Sequence, residues 1–271
     1  MEIFDKSKAN QDLRQYATRI KSGDVAKYVL LPGDPDRVDR IATHLDDIEL
    51  VANNREFKTI TGAYRGISVS AMSTGIGCPS ASIAIEELAN AGATHFIRVG
   101  STAALQPEIH TGDIIINTAA LRNDGTSRAY VPDGYPAVAD HFLTQSLIEA
   151  SEELQKTSDF VCHIGLNACD DAFYAETPEW IKRLSEKKLL NVEMESSAIF
   201  IVSQMRQLHA AMVCGVSGNL VVSDYDYDQG EKNNDRLVQA WENAIRVALG
   251  AISIYHTNGY GTNLSMVTEE S

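Results

Sequence analysis

Short apolar runs alternate with longer amphipathic stretches along this chain, a pattern that predicts strands followed by helices. Residues 27–31 (KYVLL) predict a buried strand, stopped by Pro32-Gly33-Asp34-Pro35. Residues 67–73 (ISVSAMS) predict another. Gly75-Ile76-Gly77 follows it, and Pro79-Ser80 marks the start of a helix reaching about Ala91. Further strands are expected at 95–99, entering Gly100-Ser101-Thr102, and at 113–118. The second half predicts a helix over 140–155, a strand over 160–167 and helices near 178–188 and 195–208. A buried strand at 210–216 and a long helix at 232–256 complete the pattern. Strand–helix alternation over the whole length predicts one α/β domain with a mostly parallel sheet. Its expected bounds are 1–257, with a polar tail at 258–271 and no repeat or linker. The stretch 223–236 (SDYDYDQGEKNNDR) is the one strongly polar loop, and a loop of that kind inside a compact domain is functional or mobile.

Composition narrows the classes. The chain has 271 residues, 44% of them hydrophobic, enough for one sizeable core. Its formal net charge is −14, which excludes a general binder of nucleic acid while leaving room for a few focused arginines to hold a small anion. No run of about 18 apolar residues predicts a membrane span. The first residues are polar and show no signal core. Cys78, Cys162, Cys169 and Cys214 form no CxxC, so a reducing cytoplasm is expected. The seven histidines are scattered without paired-ligand spacing, and no metal site is expected.

Ligands of open α/β sheets sit at the carboxyl ends of strands. Three such ends here combine glycine with polar groups: Gly33-Asp34-Pro35-Asp36-Arg37, Ser73-Thr74-Gly75-Ile76-Gly77 and Arg98-Val99-Gly100-Ser101-Thr102. Glycine admits an anion close to backbone N–H groups, arginine offers a planar fork and serine a hydroxyl. Gly33, Arg37, Arg98 and Ser101 thus form a candidate phosphate cradle, with Arg55 a further member. Taken singly, each segment also reads as a turn beside a solvated ion pair. The Gly75-x-Gly77-x-x-Ser80 spacing is only a weak dinucleotide signal, because the third glycine is missing. Glu195, in VEMES (192–196) at a strand-to-helix junction, is a candidate acceptor for paired ribose hydroxyls; a helix N-terminal acid is its structural alternative. Phe173-Tyr174 is a candidate for stacking on a base, or a core pair.

LPGDPDR (31–37), STGIGCPSASIAIEEL (73–88), FIRVGST (96–102), GYPAVAD (134–140) and VEMES (192–196) occur in one order and spacing. In these segments the chain resembles the trimeric and hexameric nucleoside phosphorylases, the family of bacterial uridine phosphorylase and bacterial-type purine nucleoside phosphorylase. The resemblance runs from about Gly23 to Gly250, and DGTSRAYVPDGYPAVAD (124–140) looks most like the uridine branch. It implies a single α/β domain around a twisted mixed sheet partly closed into a barrel and flanked by helices. It implies homo-oligomers built from dimers, up to hexamers. The implied reaction is reversible phosphorolysis of a nucleoside to free base and (deoxy)ribose 1-phosphate, with no metal or organic cofactor. By position, Gly33, Arg37, Arg98 and Ser101 would bind phosphate, and Arg55 would reach a neighbouring subunit's phosphate. Glu193, Met194 and Glu195 would hold the ribose, and Thr102, Ala103 and Phe173 would face the base.

Departures from the family pattern leave the base open. Ala17 stands where a histidine is usual, and Ala103 where a glycine is usual. AETPEW (175–180) carries neither the Gln nor the Arg with which uridine phosphorylases read uracil. The purine branch needs an acid after the last buried strand to protonate N7. Counting forward from Glu193 reaches Gly218, whereas counting back from the last helix reaches Asp224, so Asp224 is the acid in only one of two exclusive registers. A uridine-like pyrimidine is slightly favoured. A purine nucleoside phosphorylase using Asp224, a hydrolytic relative and a nucleoside-binding homologue with little turnover are the alternatives.

Overall fold

The structure is a computed structural model that describes residues 14–222 and 235–260. Ten strands form one sheet among these residues: β1 (Tyr28–Leu31), β2 (Asp46–Asn54), β3 (Phe57–Tyr64), β4 (Ile67–Met72), β5 (His95–Ala104), β6 (Ile114–Arg122), β7 (Ala137–Val138), β8 (Cys162–Cys169), β9 (Asn191–Glu193) and β10 (His209–Asn219). Seven α-helices accompany them: α1 (Pro35–Ala42), α2 (Cys78–Ala91), α3 (Thr126–Tyr130), α4 (His141–Gln155), α5 (Pro178–Glu186), α6 (Ser196–Met205) and α7 (Asp235–Asn258). The result is a single α/β domain.

The sheet is mixed, which corrects the expectation of a mostly parallel one. β1 pairs parallel with β4 and β5, β10 with β5, β6 with β8, and β8 with β9. The β2–β3, β3–β4, β5–β9, β6–β7 and β10–β6 pairs are antiparallel. Strands β5, β10, β6, β8 and β9 close on themselves as a five-stranded barrel, and β1, β4, β3 and β2 extend from β5 as an open wing.

Several elements escape the periodicity. β2 is an edge strand whose first five residues are all exposed, so no alternation marks it. β9 has only three residues and is fully buried. β5, β6 and β10 run farther than predicted because their ends pair with other barrel strands: Ala103 and Ala104 with β9, Ala119–Arg122 with β8, and Gly218 and Asn219 with β5. Pro32-Gly33-Asp34-Pro35 stops β1 as expected, but Pro35 also opens α1. Asp34 caps that helix by accepting from the Asp36 N–H, and proline suits a first turn whose N–H has no partner. Arg37 is thereby carried back toward the sheet on a helix.

Apolar side chains cover both faces. On one, Leu30, Val99 and Val213 pack with Leu143 and Leu147 of α4 and Ile245 and Ile252 of α7. On the other, Leu31, Phe96 and Met212 meet Ile85 and Leu88 of α2 and Phe200 of α6. No helix among the described residues is long and apolar enough to cross a membrane. Asp224, most of the 223–236 loop and the tail beyond residue 260 lie outside the described residues.

Candidate active site

The strand order creates a gap. β1 accompanies β5 from His95 to Arg98, and β9 takes over on the same edge at Ala103. Val99–Thr102 have no partner strand there, and a crevice opens at the point where the order switches. Gly33 and Arg37 enter from beyond β1, Gly75 and Ile76 from beyond β4, Glu193 from the end of β9, and Met194 and Glu195 from just beyond it. With Phe173, Tyr174, Glu176 and Ser217 they line a cleft of about 890 Å³, within the usual size of small-molecule sites.

Arg98 lies at its floor and is only 4% exposed. Its Nε stands 2.8 Å from Glu193 Oε2, and its Nη2 pairs with Glu195. Two carboxylates against one guanidinium hold the arginine firmly charged, and its pKa stays above the ordinary arginine range despite burial. Nη1 is buried and makes no hydrogen bond among the described residues, a donor left for a ligand. Glu195 has its carboxyl pushed up by burial, opposed by the charge of Arg98. Its Oε1 accepts from the Gly77 N–H at 2.6 Å, which ties the ends of β9 and β4 together.

Glu193 is fully engaged. It accepts from the Glu195 N–H at 2.9 Å, from Ser196 N–H and hydroxyl at the start of α6, and from Asn167 Nδ2 at 3.1 Å. An acid at a helix N-terminus is favoured by unpaired N–H groups there. Gly100 is required beneath Arg98: a Cβ there would come within 3.0 Å of the guanidinium carbon and 2.8 Å of Cys214 Sγ. Gly75, at φ +70°, would with a Cβ meet Glu56 Cγ at 2.7 Å, and Glu56 holds Ser80 Oγ at 2.9 Å.

At one end of the cleft Arg37 Nη2 donates to Ser101 Oγ at 2.8 Å, and Trp241 Nε1 donates to the same oxygen at 2.7 Å. The Arg37 guanidinium stacks on the Trp241 ring at 4.1 Å. Thr102 lines the cleft by its backbone side, because its hydroxyl turns inward to Val192 O and Asn191 Nδ2. Phe173 and Tyr174 form a single turn of 3-10 helix, their rings edge to face at 5.1 Å, and Tyr174 is 97% exposed. Glu176 follows them. Burial, with Asp170 nearby, pushes its carboxyl up to about 7.

The structure therefore brings together Gly33, Arg37, Arg98, Ser101, Thr102, Ala103, Phe173, Glu193, Met194 and Glu195. Arg55 is outside the cleft, exposed in the β2–β3 turn at φ +55° and beside the ring of Tyr16 at 5.9 Å. Ala17 is buried, its N–H held by Glu87. Sequence reasoning missed Glu56, Glu176 and Trp241. Only the absence of Gln and Arg after Phe173-Tyr174 directed attention to the segment holding Glu176; nothing local marked Trp241. Behind the cleft, Cys78 and Cys169 sulfurs lie 3.4 Å apart with Asp124 close by, whose carboxylate already accepts from the Ser127 N–H and hydroxyl.

The profile of the Phosphorylase superfamily matches residues 27–253. A guanosine phosphorylase of Halorubrum lacusprofundi is 41% identical over 239 residues, 86% of this chain and 96% of that one. A uridine phosphorylase of Thermococcus kodakarensis is 45% identical over 231 residues, 80% of this chain and 82% of that one. Among solved structures, uridine phosphorylase from Vibrio fischeri superposes with a TM-score of 0.80 at 33% identity, covering 91% of this chain and all of that one.

Proposed function

Because the chain belongs to the phosphorylase superfamily, we propose that it is a nucleoside phosphorylase, splitting a nucleoside with inorganic phosphate. One observation carries the reading: a hydroxyl–guanidinium corner (Ser101 and Arg37) and a buried Arg98 with an unspent donor share a single cleft with Glu195. Gly33, Arg37, Ser101 and Arg98 Nη1 bind phosphate. Glu195 and Met194 hold the ribose, while Glu193 fixes Arg98 and the start of α6. Phe173 and the backbone at Thr102 and Ala103 face the base. As the C1′–N bond breaks, the base leaves with the electron pair and takes up a proton. The sugar becomes oxocarbenium-like, and a phosphate oxygen closes on C1′ to give the sugar 1-phosphate. With four free thiols, we place the enzyme in the cytoplasm.

The test is base release from uridine, thymidine, inosine, adenosine and guanosine, with and without phosphate. Release only with phosphate is expected. Equal release without it would make the protein a hydrolase, and none would make it a binding protein.

Uridine is the first substrate on overall motif similarity. Glu176 favours a second reading, guanosine. An ionised carboxylate accepts two adjacent donors, which the N1–H and exocyclic amine of guanine present, whereas uracil presents one N–H between two acceptors. With its carboxyl near 7, Glu176 ionises as pH rises through that value. Guanosine KM is then expected to fall and uridine KM to rise across about pH 7, and Glu176→Gln to flatten both trends. Profiles identical in wild type and variant would remove Glu176 from base selection.

Arg55, exposed on a hairpin turn, serves a neighbouring copy's phosphate in this reading, so the working unit is at least a dimer. Arg55→Ala is expected to raise phosphate KM about tenfold or more with the subunit folded and its melting temperature unchanged, as loss of one charge-assisted contact implies. An unaltered phosphate KM would end the shared-site reading.

A further inference from the structure

Ser101 Oγ has two acceptor positions and one proton. Arg37 Nη2 and Trp241 Nε1 fill both acceptor positions at 2.8 and 2.7 Å, and neither of those groups can accept in return. The hydroxyl makes no other hydrogen bond among the described residues, so its proton points to whatever acceptor enters the cleft. Trp241 is only 4% exposed and comes from α7, far along the chain from β5. The same indole is the platform beneath the Arg37 guanidinium, with Arg40 at 5.7 Å from its ring.

We propose that Trp241 is a positioning residue of the phosphate subsite: its N–H locks Ser101 as an obligate donor, and its ring holds the Arg37 fork in plane. This rests on the phosphate reading of the Arg37–Ser101 corner. A serine with a free lone pair could turn its proton inward and bind water or a protonated ligand equally well. With both lone pairs taken it can only donate, and it therefore selects an oxyanion with unprotonated oxygens. The indole touches no reacting atom and acts through Ser101 and Arg37.

The test is a cycle of Trp241→Phe and Ser101→Ala, with KM for phosphate and nucleoside measured separately. Phenylalanine keeps an aromatic ring beneath Arg37 and loses the N–H together with the five-membered ring that carries it. The expected result is an increase of about tenfold in phosphate KM for Trp241→Phe, with nucleoside KM within about twofold. In the Ser101→Ala background the same change adds less than about twofold, since its target is gone. An unchanged phosphate KM, or the same factor with and without Ser101, overturns the proposal. Where Trp241→Phe does not fold, the indole N–H resonance of ¹⁵N-tryptophan-labelled wild type serves instead, with Trp180→Phe assigning the signals. On addition of inorganic phosphate the Trp241 signal is expected to move and that of Trp180 to stay; a stationary Trp241 signal at saturation overturns the proposal. Phosphate that shifts the signal without supporting base release would sink the phosphorylase reading and leave this one standing.

Discussion

Replacing Arg98 with leucine is expected to lower phosphorolysis by on the order of 10³-fold or more and to cost about 3–5 kcal/mol of stability. The two losses share one cause. Arg98 is the counter-charge of Glu193 and Glu195, all three of them buried. Without it two buried carboxylates share the floor with no counter-charge, and the penalty of an unpaired buried charge exceeds what the pair contributed. The sign of the pH dependence follows. The Glu195 carboxyl is already raised by burial, and losing Arg98 raises it further. A raised carboxyl makes the folded state less stable as pH rises past its unfolded value. The variant should thus lose least stability in acid and most at neutral pH. Urea melts at several pH values check this, and a variant as stable as wild type at neutral pH would show that the carboxylates are held by other groups. Arg98→Lys is expected to recover part of the stability and little of the rate. An ammonium restores one positive charge beside the pair but cannot present one edge to Glu193, another to Glu195 and a third to a ligand.

Gly100→Ala is expected to cost roughly 1–3 kcal/mol and to cut the rate by about a hundredfold. The added methyl would sit within 3.0 Å of the Arg98 guanidinium carbon and 2.8 Å of Cys214 Sγ. A flexible arginine could move aside, but this one is anchored by two carboxylates. Adding Cys214→Ala separates the contributions: it removes the sulfur clash, so stability should return in part. The rate should stay low, because Arg98 remains displaced. Full recovery of rate in the double variant would mean that the sulfur alone was the obstacle.

Much of the fold was legible because local periodicity and local breakers agree with it. Tyr28–Leu31, residues 69–72 and residues 95–99 are buried at every position, and strands covered on both faces carry short runs rich in apolar residues. What escaped had no such signature. β2 is polar and exposed, β9 is three residues long, and Pro35 stops one element while starting the next. The expectation of a mostly parallel sheet failed because direction is set by how β10 meets β6 and how β9 meets β5, pairings that no single segment encodes.

The amino-acid sequence by itself determined the α/β class and the glycine-bearing strand ends that line the cleft, since each depends on residue types a few positions apart. The tertiary structure decided which of these meet. It assembled Gly33, Arg98 and Glu195 at the gap between β1 and β9, left Arg55 outside on a hairpin, and brought in Glu176 and Trp241. The physical reason is range: capping, turns and periodicity act within one or two helical turns, whereas hydrogen bonds such as Trp241 to Ser101 join residues 140 apart and exist only once the barrel has closed.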